Sequence, residues 1–380
     1  MLLKKDNFNS TDKKYMKLAI NLARNQKGFT GSNPSVGCVI VKNRKIISYG
    51  VTNINGRPHA ETIALIKNKK KNNGSTMFLT LEPCSHYGKT SPCTNAIIKS
   101  KIKKVVYSIE DYDSRTFNKS KKILKSKKIN TKSGLLNKEV KNFYKNYNYT
   151  KKNKFPYVIG KLACSSNFFI LNNNSVITNE HSRKISHLLR SQNQGILTSY
   201  KTVNSDNPKL NCRLNGLEKF SPIRIIIDKD LKINLNSYIV KKCKALKTII
   251  FHNSNNLIKI SKLKKKGVNL INLKIKKDNY FDLNNLFKRI YDIGIHSLLV
   301  ECGEMYDELR GVAIDGVAEI VRDPSQTANV MELTRLKDLG LGLKREPSNK
   351  TKTELPPAAY KRVVVRVFPK RYRSWDHSKI

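Results

Sequence analysis

The sequence lacks the features typical of secreted, membrane-spanning and disulfide-rich proteins. No apolar run approaches the length of a membrane span, and the opening MLLKKDNFNS has no apolar stretch that could serve as a secretion signal. Seven cysteines in 380 residues indicate thiols and metal ligands rather than a disulfide framework. These absences predict a cytoplasmic protein.

Acidic residues are also scarce, because 28 Asp and Glu stand against 74 Lys and Arg, for a net charge of +46. Such a balance is typical of proteins that bind nucleic acid. The lysines, however, are dispersed through almost every segment and form no single stripe with interleaved aromatic residues. We interpret them as solvated surface charges. A nucleic-acid-binding or editing protein remains an alternative, which tight and steeply salt-dependent binding to tRNA or single-stranded DNA would favour.

Composition predicts three domains, at residues 1–150, 151–303 and 304–380. The first boundary follows the polar, lysine-rich stretch KNFYKNYNYTKKNKFP. The second is a shift in composition, since residues 304–380 contain 7 Lys, 8 Arg and 2 Asn, whereas residues 1–303 contain 50, 9 and 39. A shift of this size indicates a segment of different origin, such as a natural fusion, a frameshift or a mis-assembled gene.

The first two domains alternate helical patterns with short apolar strands, which is typical of α/β folds. In the first we predict helices Thr11–Gln26, His59–Ile66 and Thr94–Ser100, and strands Val36–Val41, Thr76–Leu81 and Lys104–Ser108. In the second we predict strands Val158–Leu162, Gly195–Thr198, Ile223–Asp228, Thr248–His252 and Ser297–Glu301. The third is β-rich, with two short strands around a turn at 309–322 and a strand of alternating Arg and Val near the end.

A zinc site is predicted from the segments PHAETIAL and LEPCSHYGKTSPC. His59, Cys84 and Cys93 provide one imidazole and two thiolates, which leaves the fourth tetrahedral position of a catalytic zinc for an activated water. Glu61, two residues after the His, is placed to move protons between that water and a departing amino group. His-x-Glu followed by Pro-Cys and a second Cys is the signature of zinc deaminases. His86 is a competing ligand by residue type, although its position favours a place lining the site or its loop.

Eight residues separate the two cysteines, whereas editing deaminases usually have two. Together with NPSVGCVIV, GRPHAETIAL, KLACS, SDNPKLNCRL and LLVECG, this cysteine segment resembles the bifunctional riboflavin-biosynthesis deaminase–reductase family, from Lys14 to Gly303. The resemblance implies a cytidine-deaminase-like α/β/α domain, an incomplete dihydrofolate-reductase-like α/β domain and then the β-rich tail. It also implies that Asn33 hydrogen-bonds the pyrimidine and that Lys89 meets the substrate phosphate or ribose. Thr52 stands where many members have His.

The same resemblance implies an NADPH-dependent reductase in the second domain. It assigns substrate contacts to Lys161, Arg190, Leu210, Arg213 and Glu301, with the two arginines on the phosphate. It assigns cofactor contacts to Ala163, Thr202, Asp206 and Gly303. The chain departs from the family pattern at Ser165–Phe168, Val176 and Cys302.

After Gly303 the family's last strands are replaced by a tail that resembles the C-terminal half of a pyridoxamine-phosphate-oxidase-like, flavin-binding split barrel. Half of such a barrel lacks strands that help to bind FMN, so we expect no flavin site. A reductase sheet without its last strands would leave an unpaired edge. We therefore expect deamination to proceed without the reduction step.

The predicted function is zinc-hydroxide deamination of diaminohydroxyphosphoribosylaminopyrimidine, followed by NADPH-dependent reduction of 5-amino-6-(5-phosphoribosylamino)uracil. An alternative enzymatic function is that of a deaminase whose second domain is not catalytic. The predicted cofactors are Zn²⁺ and NADPH. The predicted partners are the small-molecule substrate and further copies of the chain in a homodimer or larger homo-oligomer, with no membrane and no nucleic acid.

Overall fold

The computed structural model describes residues 8–161, 180–277 and 279–301, together with the backbones of two strands at 313–321 and 364–373. The chain divides into two compact units, Met1–Phe155 and Pro156–Ile380. Within the described residues, no helix is both long enough and apolar enough to cross a membrane.

The first unit is a five-stranded sheet with helices packed on it. Its strands are β1 (Gly37–Lys42), β2 (Lys45–Val51), β3 (Thr76–Leu81), β4 (Lys104–Ile109) and β5 (Asn130–Ser133). Its helices are α1 (Ser10–Asn25), α2 (Ala60–Lys67), α3 (Cys93–Lys99), α4 (Lys119–Ser126), α5 (Asn137–Phe143) and α6 (Lys145–Asn153). The strand order is β2-β1-β3-β4-β5. Strand β1 is antiparallel to both of its neighbours, and β3, β4 and β5 are parallel.

Helix α2 is held against the sheet by a close backbone contact. A Cβ added to Gly50 on β2 would lie 2.2 Å from the carbonyl oxygen of Ala60 and 2.8 Å from the amide nitrogen of Ala64. Only glycine permits this approach. The start of α2, where His59 and Glu61 lie, is thereby fixed relative to the sheet.

The second unit contains a parallel sheet of six strands. They are β6 (Tyr157–Lys161), β7 (Gly195–Ser199), β8 (Ile223–Ile227), β9 (Thr248–His252), β10 (Asn269–Asn272) and β11 (Ser297–Glu301). The order is β10-β9-β8-β7-β11-β6, and every pairing is parallel. The helices are α7 (Glu180–Ser191), α8 (Tyr200–Asp206), α9 (Tyr238–Lys241), α10 (Leu257–Lys266) and α11 (Leu283–Asp292).

The apolar strands predicted from sequence are confirmed in both units, with bounds that differ by at most one residue. Sequences such as TMFLTL and TIIFH are buried along almost their whole length. Continuous apolar runs of this kind are typical of strands covered on both faces. The mixed α/β class is therefore confirmed for the first two domains.

The tail contributes two long antiparallel strands, β12 (Ala313–Val321) and β13 (Val364–Arg373). The predicted Arg/Val strand is confirmed as β13. The prediction of a turn within 309–322 is wrong for residues 313–321, because they form one strand. The ladder shifts register between Asp315 and Gly316, so the glycine marks a bulge rather than a turn. Strand β6 forms one edge of the parallel sheet. Cα atoms of β13 come within 8 Å of Cα atoms of β6, but β13 is not part of that sheet's hydrogen-bonded order.

Candidate active site

Three metal-ligating side chains from separate elements meet at the end of β3. His59 is the N-cap of α2, Cys84 lies three residues after β3, and Cys93 begins α3. The Nδ1 atom of His59 lies 3.6 Å from the Sγ of Cys84 and 3.4 Å from the Sγ of Cys93. Tetrahedral zinc with ordinary bond lengths places its sulfur and nitrogen ligands about 3.5 Å apart. The three ligand atoms all lie within 4.8 Å of one another, so the cluster fits zinc.

Electrostatics prepare these side chains for a metal. Hydrogen bonding from Cys93 lowers the pKa of Cys84 to about 4, and the backbone N–H of Cys93 also donates to its Sγ at 3.2 Å. The hydrogen bond with Cys84 and burial raise the pKa of Cys93. The hydrogen bond with Cys84 likewise raises the pKa of His59. One thiolate is therefore available at neutral pH, and metal binding would release a proton from the other thiol.

Glu61 lies in the first turn of α2 and is 3% exposed. Burial is the main reason that its pKa is raised above the ordinary value for Glu, and the Cys84 thiolate adds to the increase. A carboxyl group whose pKa is moved toward neutrality can both accept and return a proton. Its burial beside the three ligands suits the predicted role in proton transfer.

A second carboxylate, Glu82, connects the cysteine segment to the start of α4. It is 3% exposed and lies two residues before Cys84. Its oxygens accept the backbone N–H groups of Asp111, Asn118 and Ser120 at 3.1–3.2 Å, and the hydroxyl of Ser120 at 2.6 Å. These bonds satisfy amides at a helix N-terminus, where a carboxylate is stabilised. The segment from β4 to α4 is thereby fixed beside the candidate site.

His86 is not one of the three clustered ligands. Its Nδ1 lies 3.0 Å from the hydroxyl of Thr116, in the segment that Glu82 holds. The interpretation of His86 as a residue lining the site or its loop therefore agrees with its position. The sequence contains no signal for Glu82 or Thr116, because their contacts join positions 29 to 38 residues apart.

Two neighbouring aspartates in this segment have opposite environments. Burial raises the pKa of Asp111 to about 6, although it accepts hydrogen bonds from the Asp113 amide and the Tyr147 hydroxyl. Asp113 accepts two hydrogen bonds from the Arg115 guanidinium and one from Lys151. The contact with Arg115 is the main reason that the pKa of Asp113 is held well below its usual range.

These shifts predict opposite effects of two amide substitutions on stability. Because the pKa of Asp111 is raised, its contribution to stability is full below about pH 4 and is lost as the pH rises through 6. We expect Asp111→Asn to stabilise the first unit at pH 8 by roughly 2 to 3 kcal/mol, and the gain to shrink toward zero near pH 4. Asp113→Asn should instead destabilise it at pH 8. Urea unfolding of the full chain, followed by hydrogen-exchange mass spectrometry of first-unit peptides, measures both; shifts of the same sign would contradict the prediction.

The structure places the two residues predicted to contact the deaminase substrate, and the family departure Thr52, as follows. Asn33 is half-buried, and its side-chain amide donates to the Gly56 carbonyl at 3.0 Å. Gly56 has φ 87°, and a Cβ there would lie 2.5 Å from the Asn33 side chain. Lys89 is exposed on the cysteine segment. Thr52 is buried, and its hydroxyl accepts the Val36 amide at 2.9 Å, so it holds the start of β1.

The second unit brings three predicted substrate residues together. Arg190 donates from Nε and Nη2 to the two carboxylate oxygens of Glu301, each at 2.8 Å. The Nζ of Lys161 lies 3.7 Å from Glu301. Burial alone would raise the pKa of Glu301, but hydrogen bonds from Arg190 and the charge of Lys161 outweigh it and lower the pKa. Arg190 also donates from Nη1 to the Asn211 carbonyl, so all three guanidinium nitrogens have protein partners.

Arg213 lies beside this cluster with its side chain exposed. It donates from Nη1 to the Asn211 side chain at 2.9 Å, and its backbone N–H donates to His187 Nδ1 at 3.3 Å. Burial and the charge of Arg190 lower its pKa. Of the two arginines predicted for the phosphate, Arg213 is therefore the one with guanidinium nitrogens outside the ion pair. Leu210 is buried with φ 50°, a left-handed conformation that such side chains rarely adopt.

Two of the predicted cofactor residues, Thr202 and Asp206, lie on α8, directly after β7. The Thr202 amide is capped by the hydroxyl of Ser199 at 3.2 Å. Open α/β sheets bind ligands outside the carboxyl ends of their parallel strands, which is where α8 begins. The position of α8 therefore fits a nucleotide cofactor. Ala163 and Gly303, the departures at Ser165–Phe168, Val176 and Cys302, and the rest of the tail lie outside the described residues.

Comparison with known proteins finds a family match in each of the two units. The zinc-binding region of cytidine and deoxycytidylate deaminases matches residues 9–109, and the RibD C-terminal domain matches residues 170–306. The riboflavin biosynthesis protein RibD of Aquifex aeolicus is 36% identical over 300 residues, which cover 77% of this chain and 81% of that protein. The RibD of Actinobacillus pleuropneumoniae is 33% identical over 77% of this chain and 78% of its own.

This chain belongs to the RibD family. Among solved structures, a deaminase/reductase from Thermotoga maritima superposes with TM-score 0.66 and 29% identity over 79% of this chain and 84% of its own. RibD from Acinetobacter baumannii superposes with TM-score 0.71 and 25% identity, over 95% of this chain and 99% of its own. The prediction of a riboflavin-biosynthesis enzyme with deaminase and reductase activities, using zinc and NADPH, is confirmed by membership of the RibD family.

Proposed function

We propose that the first unit of this RibD-family chain deaminates diaminohydroxyphosphoribosylaminopyrimidine. The observation that carries the proposal is the cluster of His59, Cys84 and Cys93 with a buried carboxyl group, Glu61, beside it. The Thermotoga maritima structure is described as a deaminase of that compound, which supports the same substrate here. Asn33 would orient the pyrimidine, and Lys89 would contact the phosphoribosyl group.

Within this mechanism, bound zinc supplies an activated water as the nucleophile. Glu61 takes a proton from the nucleophile and delivers it to the amino group, which leaves as ammonia. Its raised pKa favours the second of these transfers, because the protonated form is populated nearer to neutral pH.

We propose that the second unit then reduces 5-amino-6-(5-phosphoribosylamino)uracil with NADPH, which supplies the hydride. Lys161 and Glu301 would contact the substrate, Leu210 would lie beside it, and the arginines Arg190 and Arg213 would bind its phosphate. Ala163, Thr202, Asp206 and Gly303 would contact the cofactor. The domains are proposed at 1–150, 151–303 and 304–380.

A mass-resolved assay of the full chain tests both steps. Deamination exchanges an amino group for oxygen, a gain of about one mass unit, and reduction adds about two more units when NADPH is supplied. We expect the first gain without the second if the tail fails to complete the reductase. No gain in either condition, with zinc bound, would contradict the proposed substrate.

Metal removal separates the two activities. We expect a chelator to abolish deamination, because the three ligands lie in the first unit, and added zinc to restore it. Any NADPH oxidation with the uracil substrate should persist at its original rate. Ammonia release and NADPH absorbance measure the two steps in one sample, and deamination that survives metal removal would contradict a zinc mechanism.

We further propose a homo-oligomer that acts in the cytoplasm on a free small molecule. Light scattering of the purified chain measures the oligomeric state. Binding to tRNA at increasing salt distinguishes this proposal from an editing deaminase, since phosphate contacts weaken steeply with salt.

A further inference from the structure

Arg57 lies at the edge of the zinc cluster and takes no part in the roles assigned so far. It is half-buried and stands two residues before His59. Its Nη1 donates to the hydroxyl of Thr90, so the guanidinium reaches across to the cysteine segment. A Cβ added to Gly88 would lie 3.5 Å from its Nη2. Arg57 therefore connects the segment that precedes α2 with the segment that carries Lys89.

The guanidinium of Arg57 has no counter-charge within the described part of the chain. Among the described residues no carboxylate lies within ion-pair distance of it, and the Thr90 hydroxyl is its only hydrogen-bond partner there. The two segments that meet at this contact, residues 52–58 and 85–92, contain no Asp or Glu. A partly buried cation without a counter-charge is available to an anionic ligand, and the guanidinium fork matches a phosphate group.

Arg57 is a neighbour of the two residues that are assigned to the substrate. The preceding residue, Gly56, accepts the side-chain amide of Asn33 through its carbonyl. Lys89 directly precedes Thr90, the partner of Arg57. A ligand that reaches from Asn33 to Lys89 would therefore pass the guanidinium.

We propose that Arg57 is a further specificity residue of the deaminase and binds the substrate phosphate together with Lys89. The proposal rests on the phosphoribosyl substrate proposed above. Arg57 would then be the residue by which the deaminase distinguishes the phosphorylated pyrimidine riboside from the same riboside without phosphate.

The test compares Arg57→Met, Arg57→Lys and the unaltered chain on both forms of the substrate. We expect Arg57→Met to lower kcat/KM for the phosphorylated substrate about tenfold or more, mainly through KM, because a charge-assisted bond to phosphate is lost. The value for the unphosphorylated riboside should not change. Arg57→Lys keeps the charge and loses the fork, so its loss should be smaller. Inorganic phosphate should compete with the phosphorylated substrate, and its inhibition constant should rise in Arg57→Met.

Lys45→Met is the matched control. Lys45 is exposed on β2 and pairs with Lys42. This pair lies at the end of the sheet where β3 begins, whereas the zinc ligand Cys84 follows the opposite end of β3. An equal loss on both substrates in Arg57→Met, with zinc retained, would show a structural role and overturn the inference. No change in either kcat/KM value would also overturn it. If the unaltered chain deaminates neither form, the proposed substrate itself fails, and that result is distinguishable from the other two.

Discussion

Glu61→Gln is expected to reduce the rate of deamination by about 10²- to 10⁴-fold while zinc remains bound. Glutamine has almost the same shape as glutamate, so the buried position is filled, but its amide can neither accept nor return the proton. The three metal ligands are unchanged by this substitution. Ammonia release gives the rate, and elemental analysis gives the zinc content of the same sample.

Glu139→Gln provides the control for Glu61. Glu139 belongs to the same unit and forms an ion pair with Arg24 at 2.7 Å, with both side chains partly exposed. Removing its charge should leave kcat unchanged. A Glu61→Gln variant that retains zinc and more than about a tenth of the original rate would contradict the role in proton transfer.

Glu301→Gln is expected to destabilise the second unit by about 3 to 5 kcal/mol, because it leaves two largely buried cations without their counter-charge. Arg190 is 13% exposed, Lys161 is 17% exposed and Glu301 is 8% exposed. The guanidinium fork would lose its bidentate, charged partner and keep the Asn211 carbonyl and one neutral amide oxygen as acceptors. Urea unfolding of the full chain measures the loss.

Two further variants test whether the loss of stability comes from the burial of these charges. Asp292→Asn removes one partner of an exposed ion pair with Lys288, one turn apart on α11, and should cost no more than about 1 kcal/mol. Adding Arg190→Met to Glu301→Gln removes the cation that has lost its carboxylate partner, so part of the lost free energy of unfolding should be recovered. A Glu301→Gln variant as stable as Asp292→Asn would show that the charges remain solvated.

The zinc cluster could be predicted from the sequence because its residues lie in short, local patterns. The spacing of His59 and Glu61 at a helix start, and of Pro83 and Cys84 after a strand, is retained whatever the rest of the fold does. The strands could be predicted equally well, since a strand covered on both faces is a continuous apolar run in the sequence. In the tail the turn expected within residues 309–322 is wrong for residues 313–321, because glycine occurs both in turns and in bulges.

The pairing of side chains could not be predicted in this way. Arg190 and Glu301 are 111 residues apart, and each was assigned separately to the substrate, whereas in the structure they bind each other. Their contact joins α7, which carries Arg190 and precedes β7, to the end of β11, and β11 becomes a neighbour of β7 only when the sheet forms. Glu82 was missed for the same reason, because its partners become neighbours only once β3 and β4 pair.

The contacts of Glu82 link the metal to the folding equilibrium of the first unit. A ligand that binds only the folded state shifts that equilibrium by about 2.7 kcal/mol at a hundred times its dissociation constant. Because Glu82 lies two residues before Cys84 and holds the start of α4, the stabilisation by bound zinc would extend to a helix that carries none of the three ligands. Zinc depletion should therefore increase proteolysis around residues 110–120 before it affects the far end of the sheet.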